Sequence, residues 1–152
     1  MINRKESFAR LAFAGYILLM LWLLFGQRIG RTVEGGYWEA LCANCNLVPF
    51  RTIAGYLRIV LDPEAAIAHH HAVVNLAGNV LMFVPLGYFL PRMRGAFRPF
   101  FRCMLWTAVI LLGIECLQLL TLLGSCDIDD LLLNLMGTAL GYGVFRLMPG
   151  NK

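Results

Sequence analysis

Four long apolar stretches alternate with short polar and charged segments along this chain, roughly over 8–26, 72–90, 101–123 and 128–147. At a rise of about 1.5 Å per residue, each is long enough to cross a hydrocarbon core of about 30 Å. So short a chain cannot bury that much apolar surface in one aqueous core. The pattern therefore predicts an all-α integral membrane bundle of about four transmembrane helices, with 1–152 forming a single domain. The run LAFAGYILLMLWLLFG passes into Gln27 and Arg28 with no small-residue cleavage site, so it reads as a retained anchor rather than a cleaved signal peptide. Between the first two spans, NLVPFRTIAGYLRIVL (46–61) is amphipathic to apolar, and Pro49 breaks any helix before it. This stretch reads as an interfacial or re-entrant segment against the bundle, with a plain surface loop as the alternative. There is no internal repeat, and His69 to His71 is the one low-complexity run.

Composition agrees with the pattern. Hydrophobic residues make up 59% and charged ones 14%, where a soluble domain has about half and about a quarter. Mean hydropathy is +0.68. The formal net charge of +4 is explained by where the cations stand. Arg4, Lys5 and Arg10 precede the first span, Arg92, Arg94, Arg98 and Arg102 separate the second and third, and Arg146 and Lys152 follow the fourth. With four spans these fall on one side. Arg28, Arg31, Arg51 and Arg58 fall on the other, mixed with Glu34, Glu39, Asp62 and Glu64. The positive-inside rule then puts both termini in the cytoplasm, and no nucleic-acid partner is needed to explain the basic balance.

Polar side chains inside hydrocarbon are costly and usually face a bundle interior. Asn75 and Asn79, Glu115 and Gln118, and Asp130 and Asn134 are each spaced to share one helix face. Asn79, Glu115 and Asn134 lie about 10, 12 and 9 Å inside the outer ends of their spans, at about 1.5 Å per residue. Asn75, Gln118 and Asp130 form a shallower layer. Three helices thus bring polar groups to one level, either as a ligand-binding pocket or as interhelical glue. Gly137 and Gly141 allow close helix packing, and Pro85 predicts a kink near Leu81. Glu115 is placed to hydrogen-bond Asn79, Asn134 or Gln118, or to meet Arg51 from the outer segment.

Asp127, Asp129 and Asp130 form an acidic cluster at the start of the fourth span. It suits either cation binding or helix capping, with Asp127 as the N-cap. Five cysteines are present, and the odd number argues against a simple disulfide framework. Cys103 and Cys116 read as small hydrophobes. Cys42 and Cys45 form a single CxxC that could close a disulfide or join the histidines at a metal. The disulfide is favoured, leaving Cys126 over, and no metal or cofactor is assigned.

These pieces together resemble the VanZ-like family of small bacterial membrane proteins. The matching parts are NLVPF (46–50), NLAGNVLMFVPLGYFLP (75–91), the Glu115–Gln118 pair and DIDDLLLNLMGTALGY (127–142), in that order. The resemblance implies a multi-pass protein of the bacterial plasma membrane, linked to resistance to teicoplanin more than to vancomycin. It points to Asn75, Asn79, Glu115, Gln118, Asp127, Asp130 and Asn134 as site residues, with Arg51 a substitute for the arginine usually found where Gly124 stands. The function expected is non-enzymatic binding of a lipid-bearing or lipid-linked molecule, such as a lipoglycopeptide or a cell-wall lipid precursor. The alternatives are an intramembrane enzyme, with Glu115 as acid or base and Asp127 and Asp130 on a metal, or a small transporter working as a homo-oligomer.

Overall fold

The computed structural model describes residues 4–26 and 36–148. Arg28, Arg31, Glu34 and Lys152, used above for orientation, lie outside the described residues. Six α-helices follow in the order α1 (Arg4–Phe25), α2 (Tyr37–Ala43), α3 (Arg51–Leu61), α4 (Ala66–Met93), α5 (Phe100–Leu120) and α6 (Ile128–Leu147). Two short strands, β1 (Cys45–Asn46) and β2 (Cys126–Asp127), precede α3 and α6. The all-α class read from the sequence holds. α1, α4 and α5 are long and apolar enough to cross a membrane, with mean hydropathies of 2.0, 1.7 and 2.0. α6 has 20 residues but carries Asp129, Asp130 and Asn134, and Asp129 and Asn134 are buried against its neighbours.

Several element boundaries differ from the sequence reading, most of all the start of α4 and the end of α5. α4 begins at Ala66, so His69 to His71 belong to its first turns and not to a loop. Alanines 65, 66, 68 and 72 favour helix there, and Pro63 marks the break just ahead. α4 also remains one helix through Pro85 and Pro91. Inside a bundle, neighbouring groups and small local adjustments compensate for the hydrogen bonds that proline removes. α5 ends at Leu120, three residues short of the expected span. Leu122 takes a positive φ of 54°, and the Gly124 N–H donates to the Gln118 carbonyl at 3.2 Å. That bond closes the helix end and turns the chain toward α6.

The centre of the bundle is the contact of α4 with α6. A Cβ on Gly137 would lie 2.0 Å from the Val80 carbonyl oxygen, and one on Gly141 1.9 Å from that of Val84. Gly87 reciprocates from α4, where a Cβ would lie 1.9 Å from the Thr138 carbonyl oxygen. The backbones therefore touch, as the Gly137–Gly141 spacing predicts. Met20, Phe83, Leu86, Leu111 and Leu131 pack as one apolar cluster, and Cys103, Tyr142 and Phe145 as another. The outer faces are apolar as well: Leu11, Leu18, Trp22, Leu105, Val109, Leu117 and Leu140 are exposed. A surface of that kind suits contact with lipid.

The two ends of the bundle differ in chemistry. Arg4, Arg10 and Arg92 line grooves at one end, where the Tyr142 hydroxyl donates to the Arg98 carbonyl. The strand pair lies at the other end, with α2 and α3.

Candidate functional site

β1 and β2 pair in parallel, with Cys45 opposite Cys126 and Asn46 opposite Asp127. The Cys126 N–H donates to the Asn44 carbonyl at 2.8 Å. This short pairing lays the NLVPF stretch on the DIDD stretch and builds a polar mouth at that end of the bundle.

Asp127 is the N-cap of α6, as the sequence predicts: its Oδ1 accepts from the Asp129 N–H at 2.9 Å. The same Oδ1 accepts from Asn46 Nδ2 at 3.1 Å, and Oδ2 accepts from Thr52 Oγ1 at 2.6 Å. Asn46 Nδ2 also donates to Thr52 Oγ1 at 3.0 Å. The Asp127 N–H donates to Glu115 Oε2 at 3.2 Å, and Glu115 is only 5% exposed. Asn79 Nδ2 donates to Asp130 Oδ1 at 2.7 Å.

Asp129 is fully buried and seats α3. Its Oδ1 accepts from the Phe50 N–H at 2.5 Å, and its Oδ2 from the Thr52 and Ile53 N–H groups at 2.8 and 3.0 Å. The first turn of α3 has no side-chain cap of its own, and Phe50 sits in the left-handed region at φ 65°. A carboxyl group brought from α6 takes the place of that cap and satisfies N–H groups that a helix start leaves open. Asp129 was legible only as one member of an acidic cluster, because nothing in its spacing tells which distant backbone it meets. Thr52 carries no sequence signal beyond its nearness to NLVPF.

Tyr56, on α3, lies close to the same acids. Its phenol is held above its ordinary range, first by burial and then by the nearby Asp130 and Asp127.

The remaining expected residues sit in other roles or apart. Gln118 Nε2 donates to the Leu24 carbonyl at 2.9 Å and ties α5 to the end of α1. Asn75 Nδ2 donates to the His71 carbonyl at 3.1 Å within α4. Arg51 is exposed in the first turn of α3. Asn134 is buried, its side-chain oxygen has no hydrogen-bond partner, and its carbonyl accepts from Thr138 Oγ1 at 3.0 Å. The amide N–H groups of Asn79 and Gln118 thus donate to Asp130 and the Leu24 carbonyl.

No S–S bond joins any two of the five cysteines in this structure, the expected Cys42–Cys45 pair included. Among the described residues, no group of three or more His, Cys, Asp or Glu side chains is arranged to hold a metal ion. At the same end of the bundle, a groove of about 640 Å³ opens between the end of α3 and the start of α4, lined by Leu61, Asp62, Pro63, His69, His70 and Val73 among others.

No curated protein and no solved structure is found to match the chain. The sequence model of the VanZ/LLP1 family matches residues 13–149, nearly the whole chain and both of the stretches that the strand pair joins. The chain therefore belongs to the VanZ/LLP1 family.

Proposed function

We propose that this protein is a non-enzymatic protein of the bacterial cell envelope whose polar mouth binds the head of a lipid-bearing ligand. The observation that carries the reading is the joining of Asn46, Thr52, Asp127 and Glu115, beside Asp130 and Asn79, into one polar end opposite the arginine-rich end of the bundle. In this reading α6 is the fourth crossing, and the arginine-rich end faces the cytoplasm. The mouth then opens toward the outer leaflet.

The chemistry of the mouth narrows the ligand. Asp127, Asp129 and Glu115 are buried and bonded within the protein, so the carboxyl group that meets a ligand is the half-buried Asp130, which suits a head group rich in N–H and O–H donors or carrying positive charge. A polyanionic head, such as a lipid pyrophosphate, is the poorer fit. Leu47, Val48 and Phe50 stand exposed on the rim, and Leu57 and Leu61 are exposed along α3. These apolar side chains can take up an acyl chain. Donor groups joined to an acyl chain describe a lipoglycopeptide, the ligand class that the resemblance to teicoplanin-resistance proteins also implies.

The test is direct binding. With the purified protein in lipid nanodiscs, Trp22 and Trp106 replaced by Phe, the fluorescence of Trp38, exposed on α2, is followed as teicoplanin or vancomycin is added. Saturable binding of teicoplanin, tighter than that of vancomycin and weakened by Asp130→Asn, is the expected result. Equal, non-saturable uptake of teicoplanin by loaded and empty nanodiscs would sink the proposal.

A further inference from the structure

Cys45 and Cys126 stand directly opposite each other in the β1–β2 pair. Neighbouring strands lie about 4.7–4.9 Å apart, inside the Cα separation of roughly 4.4–6.8 Å that a disulfide spans. Cys45 is among the nearby groups that raise the Cys126 thiol. The next register pair, Asn46 and Asp127, joins side chain to side chain across the strands. The two strands therefore present matching side chains to each other at both positions. Cys42 is exposed in the last turn of α2 and has no such opposite number.

We infer that Cys45 and Cys126 form an intramolecular disulfide that clamps the α2–α3 segment onto the turn between α5 and α6. The bond closes beside the Asn46–Asp127 contact and fixes the register on which the polar mouth depends. The inference rests on the outward placement of the mouth only for its source of oxidant, a disulfide-bearing oxidoreductase or small disulfide of the cell envelope.

The two thiols differ in reactivity. Burial pushes the Cys126 thiol up to about 11, helped by the nearby Glu115, Cys45 and Cys116, so it stays protonated at neutral pH. Cys45 is exposed and is the thiol that meets the oxidant. As a thiolate it attacks one sulfur of the oxidant's disulfide, and the other sulfur leaves as a thiol. The Cys126 sulfur then displaces the oxidant from Cys45 and closes the Sγ–Sγ bond. Two electrons pass to the oxidant, whose two sulfurs leave as thiols carrying the two protons.

The experiment counts free thiols in the full-length protein. Purified protein is equilibrated in a glutathione redox buffer, denatured, and labelled with a polyethylene-glycol maleimide before and after reduction. The five cysteines should give three adducts before reduction and five after it. Cys45→Ser and Cys126→Ser should each give four adducts in both lanes. Cys42→Ser and Cys116→Ser should each give two before reduction and four after.

Five adducts before reduction in the wild type overturn the clamp. So does loss of the shift in Cys42→Ser or Cys116→Ser with its retention in Cys126→Ser or Cys45→Ser, because the bond is then a different one. Orientation is read separately, by labelling Cys42 in intact cells with a membrane-impermeant maleimide. An unlabelled Cys42 beside a purified protein that forms the Cys45–Cys126 bond contradicts the outward placement and leaves the clamp standing.

Discussion

The seam between α4 and α6 and the polar mouth above it are held by opposite means. Below the Asn79–Asp130 contact, Gly87, Gly137 and Gly141 let backbone meet backbone along the seam, and contact follows from the absence of side chains. At the mouth almost every contact is a hydrogen bond to a carboxyl group, and Asp127 and Asp129 together hold Asn46, Phe50, Thr52 and Ile53. The seam answers to volume. The mouth answers to hydrogen-bonding capacity. This division suits a protein whose fixed scaffold carries a polar end available for recognition.

The largest effect is expected at the seam. Gly137→Val forces a Cβ to within 2.0 Å of the Val80 carbonyl oxygen, and neither backbone can retreat without parting the helices. A loss above about 3 kcal/mol is predicted, seen as loss of monodisperse protein in detergent. Gly143→Ala is the control, since nothing lies within 4 Å of a Cβ there, and the thermal midpoint should hold or rise slightly.

At the mouth, Asp129→Ala leaves three backbone N–H groups at the start of α3 without their acceptor. A cost of about 3 kcal/mol is predicted, because orphaned buried donors carry their full desolvation penalty. Hydrogen exchange should accelerate in α3 and stay slow in α4 and α6. Equal acceleration across the bundle would erase the contrast between the two regions. Thr52→Val removes one hydroxyl from Asp127 and should cost about 1 kcal/mol, read as a small drop in thermal midpoint.

The smallest effect is a titration. Because Tyr56 is raised from 10.0 in the folded protein, the unfolded chain ionises this phenol first. Its contribution to stability is therefore constant below pH 10 and falls as pH rises from there toward the folded value. Ultraviolet difference titration should show Tyr56 ionising late, and Asp130→Asn should bring it closer to 10. An unchanged curve would remove Asp130 from the surroundings of Tyr56.

The seam was more legible in the sequence than the mouth, for a physical reason. A membrane helix announces itself by local apolarity, and Gly137 with Gly141 by a spacing of four, so both are written within one element. Gly87 escaped because it has no glycine partner at a spacing of four on α4, and such a glycine does not say which backbone approaches it. The mouth depends on pairing residues 45–46 with 126–127, far apart in the chain, and no periodicity encodes that pairing. The face rule correctly selected Asp130 and Asn79, which meet each other across helices. It left their partners open because equal depth does not fix helix rotation. Gln118 points to α1 for that reason and not to its neighbours in the polar layer.

The most direct test of the proposed role is antibiotic susceptibility in a sensitive Gram-positive host expressing the wild type, Glu115→Gln or Asp130→Asn at equal membrane levels. The wild type should protect against teicoplanin more than against vancomycin, and both variants should lose this protection while remaining folded. Protection that is absent in the wild type, or undiminished in both variants, would contradict a ligand-binding role for the polar mouth.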